Sequence, residues 1–169
     1  MMRLFVGLEP SPDFRDALAA LQDRLRAAGV TGRYLEPSNL HMTLAYIGMW
    51  AEAVTDRLPA VPEPFPVTLS RLGVFPEAGV LWAGTAPSEA LNSLAESVRH
   101  SLDEAGIPFD HQPFIPHITL ARKPVIPEPG LLREIEVPQA AMTVRAVCLY
   151  LSEHRENGMV YTVIGRTPA

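Results

Sequence analysis

An α+β fold of two similar lobes related by a pseudo-twofold axis is what this 169-residue sequence predicts. Three observations carry that expectation. The order strand, helix, His-bearing strand occurs twice, with His41 twelve positions after the helix stop Gly29 and His117 eleven positions after the helix stop Gly106. Both histidines open the same word, His-x-Thr-Leu, as His41-Met42-Thr43-Leu44 and His117-Ile118-Thr119-Leu120. Between the two halves Pro59, Pro62, Pro64 and Pro66 make a stiff, extended connection.

The elements follow in order. Residues 3–8 are apolar and aromatic, as suits a strand buried on both faces. A helix then starts at Ser11 as N-cap with Pro12 in its first position and Asp13 in its first turn. It carries Phe14, Leu18, Leu21 and Leu25 on one face and stops at Gly29. A short strand from Thr31 leads through a turn at Glu36 to Asn39 into the His41 strand, which is expected to reach about Ile47. Residues 51–58 predict a short helix. Val67 to Phe75 and Val80 to Thr85 read as a hairpin closed by Pro76 to Gly79. Ser88 caps a second helix with Leu91, Leu94, Ala95, Val98 and Leu102 on one face. The loop Pro108 to Pro116 delivers the His117 strand, and Pro116 is tolerated at a strand's start. After Pro124, Pro127 and Pro129, residues 141–152 predict one long strand, joined to a last strand at 159–165 around Asn157-Gly158.

Length favours one domain, residues 1–169, with a two-lobed form inside the same size range. The single cysteine, Cys148, lies in an apolar run and reads as a small buried hydrophobe, so no Cys-based metal or redox motif exists. The apolar stretch at the N-terminus is too short for a signal core, and nothing approaches a membrane span; a cytoplasmic protein is expected. A net charge of −5 argues against coating duplex nucleic acid through a broad basic surface. A few arginines in a cleft can still hold one phosphate.

Strand alternation puts His and Thr of each word on one face. A single such pair is commonly a satisfied polar pair, but two in equivalent places point to a shared site. Two histidines facing each other supply a base on one side of a reacting atom and an acid on the other, which phosphodiester cleavage requires. Thr43 and Thr119 can donate to non-bridging phosphate oxygens. Arg122, with Lys123 beside it, can supply cationic help. Strict alternation turns Arg122 away from His117, so its participation needs a twist, bulge or strand end. Neither word carries a second metal ligand at usual spacing; Asp110, His111 and His154 are scattered, and His100 and His154 read as solvated. No glycine-rich phosphate loop appears.

With these residues in view, the chain resembles the two-histidine phosphoesterases, and among them the bacterial and archaeal RNA 2′,3′-cyclic phosphodiesterases, historically called 2′-5′ RNA ligases. The likeness runs from Arg3-Leu4-Phe5-Val6 through both His-x-Thr-Leu words and Val80-Leu81-Trp82-Ala83-Gly84 to Ala121-Arg122, Leu149-Tyr150 and Tyr161-Thr162-Val163. The resemblance implies two lobes, each a mainly antiparallel sheet with helices outside, and a central cleft between them. It implies hydrolysis of the 2′,3′-cyclic phosphate ends of RNA, or of small cyclic nucleotides, to a 2′-phosphomonoester, with no metal and no other cofactor. His41 and His117 would be the acid–base pair, Thr43 and Thr119 the phosphate donors, and Arg122 a further cationic contact. His117 is taken as the base and His41 as the acid, although the symmetric motif fits either direction. Two alternatives stand beside this: 2′-5′ ligation as the main reaction, and a module that only binds a nucleotide or RNA end. A monomer is expected. The chain departs from the family pattern at Gln112 and Ile115, where basic residues are common, and at Met49 after Gly48, where an acidic one is; these differences bear on grip on longer RNA.

Overall fold

The computed structural model describes residues 1–168. Nine strands form one antiparallel array around the two helices' apolar faces: β1 (Met2–Leu8), β2 (Thr31–Tyr34), β3 (Met42–Trp50), β4 (Phe65–Phe75), β5 (Val80–Thr85), β6 (His117–Val125), β7 (Ala141–Val144), β8 (Cys148–Arg155) and β9 (Gly158–Arg166). Their order in space is β7-β4-β5-β6-β3-β1-β8-β9, with β2 beside β6. The expected α+β fold of two mainly antiparallel lobes is observed, one lobe built on β3-β1-β8-β9 and the other on β7-β4-β5-β6. They meet at a single strand pair, Met42 opposite Ile118.

Both long helices form where their caps and stripes predict. In α1 (Pro12–Ala27) the Ser11 hydroxyl accepts from the Phe14 amide, and in α2 (Glu89–Glu104) Ser88 does the same for Leu91. Phe14, Leu18, Leu21 and Leu25 of α1 and Leu91, Leu94, Val98 and Leu102 of α2 are buried in one continuous core with Met42, Leu44, Ile118 and Leu120. At up to ~3 kcal/mol for a fully buried Leu or Phe side chain, these two stripes are the main force closing helices onto sheet.

Three expectations are corrected. Residues 51–58 hold no α-helix, only a 3-10 turn at Thr55–Arg57 with Val54 and Leu58 buried on either side of it, because β3 runs on to Trp50 instead of ending near Ile47 and leaves too few residues for a stable helix. Pro66 belongs to β4 rather than to a connection, opposite Thr143 of β7. Residues 141–152 are not one strand. Val144 ends β7, which pairs with β4 in one lobe, and Cys148 starts β8, which pairs with β1 in the other. Three residues carry the chain between lobes there, and the Val147 amide donates to the Thr167 hydroxyl at 3.0 Å. A one-turn helix, α3 (Leu131–Glu134), was not expected. No helix is long and apolar enough to cross a membrane among the described residues.

Candidate active site

The pairing of Met42 with Ile118 is the pivot of the site. Extending the antiparallel register by one residue each way brings His41 opposite Thr119 and Thr43 opposite His117. Met42 and Ile118 are fully buried, which turns the two His/Thr pairs to the opposite, cleft face. His41 lies at the mouth of β3 and His117 is the first residue of β6.

Each ring is fixed in the same way. His41 Nδ1 lies 2.7 Å from the Asn39 carbonyl oxygen and His117 Nδ1 lies 2.7 Å from that of Ile115. A carbonyl only accepts, so Nδ1 carries the proton in both rings and Nε2 presents a lone pair when the ring is neutral. His41 Nε2 is 3.1 Å from the Thr43 hydroxyl. Asn39 is itself anchored to β9, donating to the Met159 carbonyl at 2.8 Å and accepting from the Tyr161 amide at 3.1 Å.

The surroundings of the rings differ. His41 packs against Phe5 (4.7 Å between ring centres), Tyr161 (5.0 Å) and Tyr150 (5.5 Å). Burial among them pushes its pKa from 6.5 down to about 4; the Asn39 hydrogen bond opposes this, and Arg122, His117 and Arg15 add to it. His117 meets only the edge of Phe75, at 5.0 Å. Its pKa is also lowered, first by burial and then by Arg122, against the bond to Ile115. Both imidazoles of the unliganded site are therefore neutral at neutral pH.

Beyond each threonine the strand bulges at the same place. On β3, Val6 pairs with Ala45 and Gly7 with Thr43, so Leu44 is an extra residue; on β6, Leu81 pairs with Ala121 and Trp82 with Thr119, so Leu120 is extra. Both Leu-Ala steps are buried consecutively. The extra residue reverses the alternation, and the fifth residue after each histidine returns to the cleft face. This is how Arg122 reaches the site. Its counterpart in the first lobe is Tyr46, which the sequence reading passed over. A cavity of about 340 Å³ brings together Arg3, Phe5, His41, Thr43, Tyr46 and Arg122, with Ser152, Met159 and Tyr161. Lys123, inside β6, has a positive φ of 51° that interrupts the regular strand geometry.

A bulge disturbs the regular pairing of its carbonyl. Here each bulge carbonyl accepts from a side chain on the helix of the other half of the chain, and that of Leu120 accepts from the Leu35 amide as well. Gln22 of α1, 1% exposed, donates to the Leu120 carbonyl at 3.0 Å and to Leu35 at 2.9 Å. Arg99 of α2 donates through Nε to the Leu44 carbonyl at 3.1 Å and through Nη1 to Gln112 at 2.7 Å. Gln22 and Arg99 stand eleven residues after their respective N-caps, Ser11 and Ser88, so the two clamps are equivalent.

The family assignment rests on this duplicated arrangement together with sequence. The model of the 2′-5′ RNA ligase superfamily matches residues 10–156. The chain belongs to that superfamily. It is 33% identical to a Thermus thermophilus RNA 2′,3′-cyclic phosphodiesterase, over 96% of this chain and 88% of that protein. A protein of the same description from Methanothermobacter thermautotrophicus is 29% identical over 95% of both chains. Among solved structures, Escherichia coli LigT complexed with 3′-AMP superposes with a TM-score of 0.76 at 25% identity, covering 98% of this chain and 96% of that one.

His111 stacks on Phe109 at 4.2 Å and stands 3.7 Å from Asp103, outside the lining of the cavity that holds His41, and His100 pairs with Glu104 on the exposed face of α2. Among the described residues no three His, Cys, Asp or Glu side chains converge as a metal site would require. Cys148 is buried, as its apolar run predicts.

Proposed function

We propose that this chain, acting as one bilobal unit, hydrolyses 2′,3′-cyclic phosphates at RNA ends or in small nucleotides to 2′-phosphomonoesters by acid–base catalysis without a metal. The observation that carries the reading is the pair of Nε2-presenting histidines, His41 and His117, placed about the Met42–Ile118 pair with a threonine beside each. The names of its superfamily relatives support it.

The reacting phosphate sits between the two rings. His117 Nε2 takes a proton from water as the water oxygen bonds to phosphorus. The bond from phosphorus to the 3′ oxygen breaks, and His41 Nε2 gives that oxygen its proton. The product carries a 2′-phosphate, with His117 protonated and His41 neutral; exchange with solvent resets both. With His41 lowered further than His117, the form with His41 protonated and His117 neutral is the minor of the two singly protonated states, and its His41 proton is the more acidic one. Thr43, Thr119 and Arg122 bind the non-bridging oxygens, where negative charge is greatest in the transition state.

A short oligonucleotide ending in a 2′,3′-cyclic phosphate tests this. Only a 2′-phosphate end is expected, at a rate indifferent to chelator. A 3′-phosphate product, or joining to a 5′-hydroxyl faster than hydrolysis, would replace the reading, and binding without turnover would make the chain a nucleotide-binding module.

The pH dependence has a fixed sign. At low pH both histidines are protonated and the base is lost; at high pH the acid is lost. Both pKa values lie below 6.5 in the free site, so kcat/KM should peak on the acid side of 6.5 and fall about tenfold per pH unit above it. A bound phosphate anion raises both values, so the profile of kcat should lie at higher pH than that of kcat/KM. A kcat/KM still rising in mildly alkaline buffer would contradict the pair as described.

A further inference from the structure

Resting on the reading just given, we propose that Arg3 is a second anion site, which receives the internucleotide phosphate one step before the RNA's cyclic end and so makes oligonucleotides better substrates than mononucleotides. Arg3 lies on β1 opposite Ser152, two residues from Phe5, on the same face of the strand. Phe5 packs against His41, which places the Arg3 backbone roughly 6 to 7 Å farther along the cleft floor. That is on the scale of one nucleotide step, within reach of a flexible side chain. Arg3 and Arg122 share the cavity that contains His41.

The charges favour a second phosphate. Among the described residues neither Arg3 nor Arg122 has a carboxylate or hydrogen-bond partner, while Arg26, Arg155 and Arg166 are each paired with an Asp or Glu. Two free guanidiniums in one cleft of a chain with net charge −5 repel each other unless anions occupy the space between and beside them. The reacting phosphate answers to Arg122. In an RNA that ends in a cyclic phosphate every other phosphate lies on the 5′ side, so the nearest remaining anion is the internucleotide phosphate. Tyr46, on β3 between the strands of the two arginines, and Met159 and Tyr161, on β9, line the same cavity, where the terminal nucleoside would lie. Gln112 and Ile115 put no cation in front of the second motif, so the grip on longer RNA falls to the first lobe.

The test compares three substrates: a cyclic mononucleotide, the dinucleotide with the same cyclic end, and that dinucleotide with a neutral methylphosphonate linkage. Wild-type protein is expected to prefer the charged dinucleotide by about tenfold in kcat/KM, on the scale of one charge-assisted hydrogen bond. Arg3→Gln should abolish this ratio, chiefly through KM, and Arg3→Lys should restore part of it. The methylphosphonate should behave in wild type as the charged dinucleotide does in Arg3→Gln. The extra dependence of log KM on log salt for the dinucleotide, about 0.7 for one single-strand phosphate, should vanish with the arginine. A dinucleotide preference that survives Arg3→Gln, or no preference in wild type, overturns the assignment. Should wild type turn over none of the three, the hydrolase reading fails instead. Calorimetric binding of the 2′-phosphorylated dinucleotide and mononucleotide to wild type and Arg3→Gln then decides the role of Arg3 alone.

Discussion

Alanine at either His41 or His117 is expected to lower kcat/KM on a 2′,3′-cyclic nucleotide by about 10² to 10⁴, the range for loss of a positioned acid or base. The geometry makes the two losses comparable, since each ring presents Nε2 with Nδ1 tied to the carbonyl two residues before it. It also makes them non-additive. Once one ring is gone the other has no partner step to complete, so the double variant should be scarcely slower than the worse single one. Thermal denaturation separates chemistry from folding. His117, held by a carbonyl and the edge of Phe75, should be replaced with little change in Tm, whereas His41 supports the Phe5, Tyr150 and Tyr161 cluster and its loss should lower Tm measurably. Wild-type turnover in either variant would disprove a shared site.

The second large effect is expected from Gln22 and Arg99, which are not at the surface of the cleft. Gln22→Leu keeps the volume but strips a buried donor from two carbonyls, costing about 1–3 kcal/mol of stability. The Leu120 carbonyl still accepts from the Leu35 amide at 3.0 Å, which should keep the variant folded. With the bulge at Leu120 loosened, Arg122 loses its fixed place, and kcat should fall more than KM rises. Arg99→Met should do the same to Tyr46 through Leu44, and Arg99→Lys should recover part of the loss by reaching one of its two carbonyls. Equal effects on kcat at temperatures far below each variant's Tm would tie the clamps to catalysis; a Tm change with unaltered kcat and KM would reduce them to structural bonds.

Much of this was legible in the residues because the signals are local. Ser11 and Ser88 cap their helices and the apolar stripes bury as spaced. The repeated word located both histidines, since side-chain alternation is a property of the strand itself. What was not legible depends on partners distant in sequence. The run from Ala141 to Ser152 is apolar almost throughout, and Arg145, which falls where pairing passes from β4 to β1, is a lone charge that a single half-exposed strand would also carry. Unbroken alternation through Leu120 turns Arg122 away from His117, and only the register shift there turns it back. The consecutive apolar steps Leu44-Ala45 and Leu120-Ala121 were the available sign of a bulge in strands that otherwise alternate. Reading them would also have produced Tyr46. Gln22 carries no such sign: a polar residue inside an apolar helix face is ordinary until its acceptors, 13 and 98 residues away, are seen.

The crossed clamps also bear on how such a chain can be divided. The first lobe takes β8 and β9 from the far end of the sequence, and each half's helix closes a gap in the other half's strand. Neither half is therefore a portable module. Severed in the proline-rich stretch near Pro62, each fragment would expose an uncapped bulge and an unpaired strand edge that only the missing fragment fits, so the two pieces are built to reassemble with each other and poorly suited to grafting onto anything else.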